Sequence, residues 1–170
     1  MNIYITAGTF NFLKSIAAKY PKETMVLMVN PNGALLLHET EGQSVFSQPR
    51  KYETIDYAGE WQTEGFVAMN NIQVTDEGRP LFEHQIKNQI GKMENVPSFI
   101  AFRALRPLSS NTYVIITVWK DEASYQSWYS SNPFTAALEK GANKGIDTLP
   151  KIFSTANYVS KYTIMEIDES

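Results

Sequence analysis

From residue 66 onward the apolar residues change period in a fixed order, and that order leaves few folds open. Positions 66–75 alternate, with Phe66, Ala68, Asn70, Ile72 and Val74 on one side, because side chains two apart share a face of a strand. Thr75-Asp76-Glu77-Gly78-Arg79-Pro80 then supplies capping and turn chemistry, with Pro80 suited to a first helical turn. Over 81–93, Phe82, Ile86, Ile90 and Met93 recur at helical spacing. Residues 99–105 and 113–119 read as strands, joined by the hairpin sequence Arg106-Pro107-Leu108-Ser109-Ser110-Asn111. A short helix is predicted over 121–130, and Asn132-Pro133 restarts the chain into a second one reaching about Lys140. Loop follows over 141–150, then a last strand over 157–167. Strand, helix, strand, strand, helix, strand is the split βαβ order of a ferredoxin-like unit. Its helices cover one sheet face, so something else must bury the other.

The first sixty residues repeat that order in shortened form. A strand is predicted over 3–7 and a helix over 10–20, with Phe12, Leu13, Ile16 and Ala17 inward. Strands at 24–29 and 34–38 flank the turn Pro31-Asn32-Gly33. Residues 45–58 hold one or two more, limited by Pro49. The expected class is therefore α+β. A ferredoxin-like (βαββαβ) unit over 63–170 packs on an incomplete ferredoxin-like half over 1–62, and the antiparallel sheets form a barrel-like monomer that mimics a dimer.

Composition removes several functions. The 170 residues suit one compact body or two small packed ones. With 15 basic and 18 acidic residues intermixed, no basic stripe offers a nucleic-acid surface. The absence of cysteine excludes thiol catalysis, disulfides and thiolate metal sites. No apolar run approaches a membrane span and residues 1–6 carry no signal, so the expected location is cytoplasmic, without membrane contact. His38 and His84 lie in no ligand-spaced motif, and phosphate-loop, dinucleotide and nucleophile-elbow motifs are absent.

Asn70 is the one polar member of its apolar row. An amide facing a core must find partners there or in a ligand, since an unmade bond costs about 1–3 kcal/mol. Trp128, three residues after Tyr125 on the helix 121–130, is the second residue of interest. It reads either as part of a core aromatic stripe or as a ligand wall.

With Asn70 and Trp128 together, the chain resembles the antibiotic-biosynthesis-monooxygenase superfamily and, within it, the IsdG-type haem-degrading branch. The longer, two-unit bacillus-type members are nearest in layout. The staphylococcal target of RNAIII-activating protein, a signalling factor, is a more distant likeness. The segments that carry this are Ile3-Tyr4-Ile5-Thr6-Ala7-Gly8-Thr9, His38-Glu39-Thr40, Met69-Asn70-Asn71-Ile72, Gly78-Arg79-Pro80-Leu81-Phe82-Glu83, Leu105-Arg106-Pro107-Leu108, Thr112-Tyr113-Val114-Ile115 and Gly145-Ile146-Asp147-Thr148.

The resemblance implies a haem-degrading monooxygenase in which haem is both substrate and cofactor, used with dioxygen and an external electron donor such as a reductase or an ascorbate-like reductant. It implies that Asn70 donates a hydrogen bond to dioxygen and that Trp128 packs on the porphyrin and ruffles it. The family's axial histidine, ten residues beyond the tryptophan, falls here on Leu138. That departure favours an alternative, a non-catalytic haem-binding or regulatory protein on the same scaffold. A cofactor-independent oxygenase of phenols or quinols is a third reading. Phe134 and Leu138 share an apolar helical face that lines the cleft or joins the core. Arg103 and Arg106 are placed to meet haem propionates or neighbouring carboxylates, and Lys140 and Lys144 are rim cations. The iron ligand is unknown, with His84 as a candidate.

Overall fold

The alternating stretches pair into a single closed antiparallel barrel. The computed structural model describes residues 1–87, 93, 95–131 and 157–167. Its elements are β1 (Asn2–Gly8), α1 (Phe10–Lys19), β2 (Thr24–Asn30), β3 (Gly33–Thr40), β4 (Arg50–Gly59), β5 (Phe66–Gln73), α2 (Arg79–Lys87), β6 (Phe99–Pro107), β7 (Thr112–Trp119), α3 (Glu122–Ser131) and β8 (Tyr158–Met165). The architecture is the expected ferredoxin-like α+β arrangement. Among the described residues, no helix is long and apolar enough to cross a membrane.

Both halves use one strand order. The N-terminal strands run β4-β1-β3-β2 and the C-terminal strands β8-β5-β7-β6, so in each case the first strand lies between the fourth and the third. Pairing of β2 with β8 and of β4 with β6 joins the two sheets at both edges. The N-terminal half has no helix between β3 and β4, where residues 41–49 run irregularly. Pro49 precedes β4, which is a single strand with an irregularity between Thr54 and Asp56.

Strand alternation divides the apolar residues into an inner and two outer layers. Ile3, Ile5, Leu35, Leu37, Val67, Met69, Val114 and Ile116 fill the barrel. Leu27, Ala34 and Leu36 turn outward under Leu13 and Ala17 of α1. Ala68, Ile72, Tyr113, Ile115 and Trp119 turn outward under Phe82 and Ile86 of α2 and Tyr125 and Trp128 of α3.

Two side chains depart from their expected places. Phe12 is 60% exposed rather than inward, because Leu13 and Ala17, one turn apart, carry the buried line of α1. Phe99 packs with the outer layer rather than beside Ala101, because the β6–β7 register shifts between the two. At the β4–β6 junction Gly59 has φ +73, and a Cβ there would stand 2.0 Å from the carbonyl oxygen of Ile100. Only glycine meets both conditions.

Candidate functional site

Strand alternation and helix spacing bring Asn70 and Trp128 to the same side of the C-terminal sheet. Asn70 lies opposite Ile115 on β7 and Val159 on β8, in the row whose neighbours Ala68 and Ile72 form one apolar cluster with Trp128. Asn70 is 5% exposed and Trp128 7%. The Trp128 ring stands 5.4 Å from Trp119 and 6.2 Å from Tyr125, centre to centre. α3 rests on the sheet through Tyr125 and Trp128 and is tied to β8 by Lys161 and Glu122 at 2.9 Å. Cavities of about 900 Å³ and 620 Å³ lie elsewhere, beside the C-terminal end of α1 and at the β2–β3 turn.

Bare polar atoms occur both inside the barrel, where Thr54 Oγ1 and Trp61 Nε1 have no partner among the described residues, and on this outer face. Asn71 points inward, and its amide donates to the carbonyl of Met69 at 3.1 Å, to Ser160 Oγ at 3.2 Å and to the carbonyl of Tyr158 at 3.4 Å. Asn70, its neighbour, makes no side-chain hydrogen bond among the described residues. On the same outer face Thr117 Oγ1, Trp119 Nε1 and Trp128 Nε1 are buried without a partner among the described residues. Buried polar atoms are ordinarily bonded. A cluster of bare ones under two helices suits a ligand that brings acceptors of its own. Thr117 and Trp119 were legible by the rule that singles out Asn70, since both carry polar atoms in the row Tyr113, Ile115, Thr117, Trp119.

Arg103 belongs to the opposite face. It alternates with Ala101 and Leu105 in the barrel, where Nε donates to Glu39 Oε2 at 2.7 Å. Its Nη1 donates to the carbonyls of Ala58, Gly59 and Phe102 at 3.1, 3.0 and 2.9 Å. The guanidinium lies 5.5 Å from the Tyr57 ring centre and 5.0 Å from that of Trp61. The propionate role expected for Arg103 gives way to the carboxylate one, because its donors are committed across the sheet from Asn70.

Arg106 is likewise taken. Its guanidinium grips Glu83 through Nε to Oε2 at 2.9 Å and Nη2 to Oε1 at 2.5 Å, and Nη1 donates to Glu53. Tyr113 donates its hydroxyl to the same Glu83 carboxylate. The bonds from Arg106 hold the Glu83 carboxyl below its usual range, against the opposing effect of burial. Burial first, and then the bond to Glu83, pushes the Tyr113 phenol up.

Neither histidine stands in the cleft. His84 is exposed on α2, off the Phe82–Ile86 line. His38 is wholly buried on the N-terminal half, with Nδ1 3.1 Å from Ser44 Oγ and Nε2 2.7 Å from Glu23 Oε1. Among the described residues, no group of three or more His, Cys, Asp or Glu is placed to hold a metal. Phe134, Leu138, Lys140 and Lys144, with the helix expected to reach Lys140, lie outside the described residues. The described residues of this face supply packing surface and hydrogen-bonding groups but no cluster of metal ligands.

Known proteins bear on this geometry. The chain is 24% identical over 162 residues to the signal transduction protein TRAP of Staphylococcus epidermidis, a match spanning 95% of this chain and 93% of that one. It is also 24% identical over 129 residues to a heme-degrading monooxygenase of Listeria monocytogenes, spanning 76% of this chain and 77% of that one. The crystal structure of LmHde, a heme-degrading enzyme from Listeria monocytogenes, shares the fold with a TM-score of 0.77 at 20% identity, over 95% of this chain and 98% of that one. The sequence model of the antibiotic biosynthesis monooxygenase family matches residues 65–140, a span that holds β5, α2, β6, β7 and α3 with both Asn70 and Trp128. Through that span, which is less than half of the chain, the chain is similar to the antibiotic biosynthesis monooxygenase family.

Proposed function

We propose that the chain binds haem between α3 and the C-terminal sheet and oxidatively opens the porphyrin, releasing iron. Haem is substrate as well as cofactor in this reading: it supplies the ring carbon that is oxidised, dioxygen is the oxidant, and an external reductant supplies electrons. The observation that carries the reading is Asn70, a buried amide with no side-chain bond among the described residues, on the face that Trp128 also covers. An amide N–H held ready in a dry site is a strong donor to negative charge developing on oxygen, because no solvent has to reorganise. Trp128 offers a rigid aromatic body against a flat ring. In this reading residues 63–170 form the haem unit, residues 1–62 close the barrel in place of a second copy, and the protein works as a cytoplasmic monomer.

Hemin titration followed by ascorbate, with catalase present, tests the proposal. A shifted Soret band that then disappears is the expected result, while a band that persists under reductant rejects turnover. Asn70→Ala should keep most binding and lose the bleaching.

A second reading follows from Leu138, which cannot ligate iron where the family has its histidine. The scaffold then binds haem, or a partner, without chemistry. Leu138→His separates the two: activity gained only in that variant supports a scaffold that lacks one ligand.

A further inference from the structure

Thr117 occupies the middle of β7, between Ala68 on β5 and Phe102 on β6, and it is wholly buried. Among the described residues its hydroxyl has no partner. Valine has the same shape and would remove an unmade bond, so packing alone gives no reason for threonine here. Thr117 also stands diagonal to Asn70 across β5 and β7, because Asn70 faces Ile115 and Ala68 faces Thr117. Diagonal cross-strand neighbours on one face lie about 7–8 Å apart, near enough for one ligand group to bridge them.

We infer that Thr117 is a ligand-binding residue of the cleft, its hydroxyl and the Asn70 amide donating to one oxygen-bearing group of the ligand. The inference rests on the haem reading above and adds a second polar contact to it. Thr117 has no exposed surface, and α3 lies on the same sheet face through the buried Tyr125 and Trp128. Both described indole N–H groups beside it, on Trp119 and Trp128, are donors without acceptors as well. The ligand's polar edge is therefore an acceptor edge.

The test uses the full chain and three measurements: apo melting temperature, hemin affinity from the Soret band, and the ascorbate-driven bleaching rate. Thr117→Val should melt about 2–4 °C higher without ligand, as expected when an orphan hydroxyl leaves a chain of this size. It should bind hemin about 3- to 10-fold more weakly, the range for one hydrogen bond. Thr117→Ser keeps the hydroxyl and loses a methyl, so it should melt lower yet retain hemin affinity near the parent's. If Thr117→Val binds and bleaches hemin like the parent, or if Thr117→Ser loses affinity as Thr117→Val does, the hydroxyl has no ligand role although the haem reading stands. A parent chain that gives no Soret shift overturns both.

Discussion

The two outer faces of the barrel have one strand order and opposite polar chemistry. On the N-terminal half the buried polar ring, His38, has both nitrogens engaged by Ser44 and Glu23. On the C-terminal half Thr117, Trp119 and Trp128 keep bare polar atoms, and Asn70 is unbonded among the described residues. The first face is finished by its own chain. The second is not finished by the described residues, and the proposed ligand site lies there. Between them runs a third environment, the barrel interior, where Arg103 and Glu39 join the halves at 2.7 Å.

The sharpest way to break this comparison is to disturb the interior and watch the cleft. Arg103→Met leaves Glu39, only 12% exposed, without its partner, and should cost about 3–5 kcal/mol by urea unfolding. Hemin affinity of the folded fraction should be unchanged, whereas a selective loss of affinity would return Arg103 to the cleft. Asn70→Ala should slow ascorbate-driven bleaching on the order of 10²-fold with little change in melting, as removal of one preorganised donor does elsewhere. Parent-like bleaching would strip Asn70 of its role.

The matching change on the finished face is His38→Leu. It should lose about 1–3 kcal/mol, because the partners left behind reach some water, and leave hemin binding intact. A hemin defect in that variant would erase the contrast between the faces. The smallest effect concerns acid. The Glu83 carboxyl titrates below its ordinary value in the folded chain because Arg106 bonds it. Its contribution is therefore full above the usual carboxylate range and fades as pH falls below it. Melting curves taken downward from pH 5 should show a shallower acid loss for Glu83→Gln, while identical slopes would mean that this clamp adds nothing.

Periodicity made most of the fold legible. Periodicity and turn residues located the other described strands to within about two residues, whereas β4 was expected only as one or two strands somewhere over 45–58, and β5 carried its odd amide in plain view. What sequence order concealed were contacts fixed only by closure. Glu39 and Arg103 are 64 residues apart and meet because two sheets join at both edges. The shift between Phe99 and Ala101 reverses which side Phe99 takes, and no local residue signals it. Phe12 sits beside the Leu13–Ala17 line, where a helix edge can point either to sheet or to water. Of the site, Asn70 was visible as an exception to its row. Thr117 is the same kind of exception, but threonine is so frequent in strands that it marks a row less sharply.

The barrel's closure within one chain has an evolutionary consequence. A barrel assembled from two identical copies receives every mutation twice, so both outer faces must serve packing and chemistry at once. Here each substitution falls on one lobe alone. The N-terminal lobe can do without a helix between β3 and β4 and seal its histidine, while its counterpart leaves polar atoms bare among the described residues.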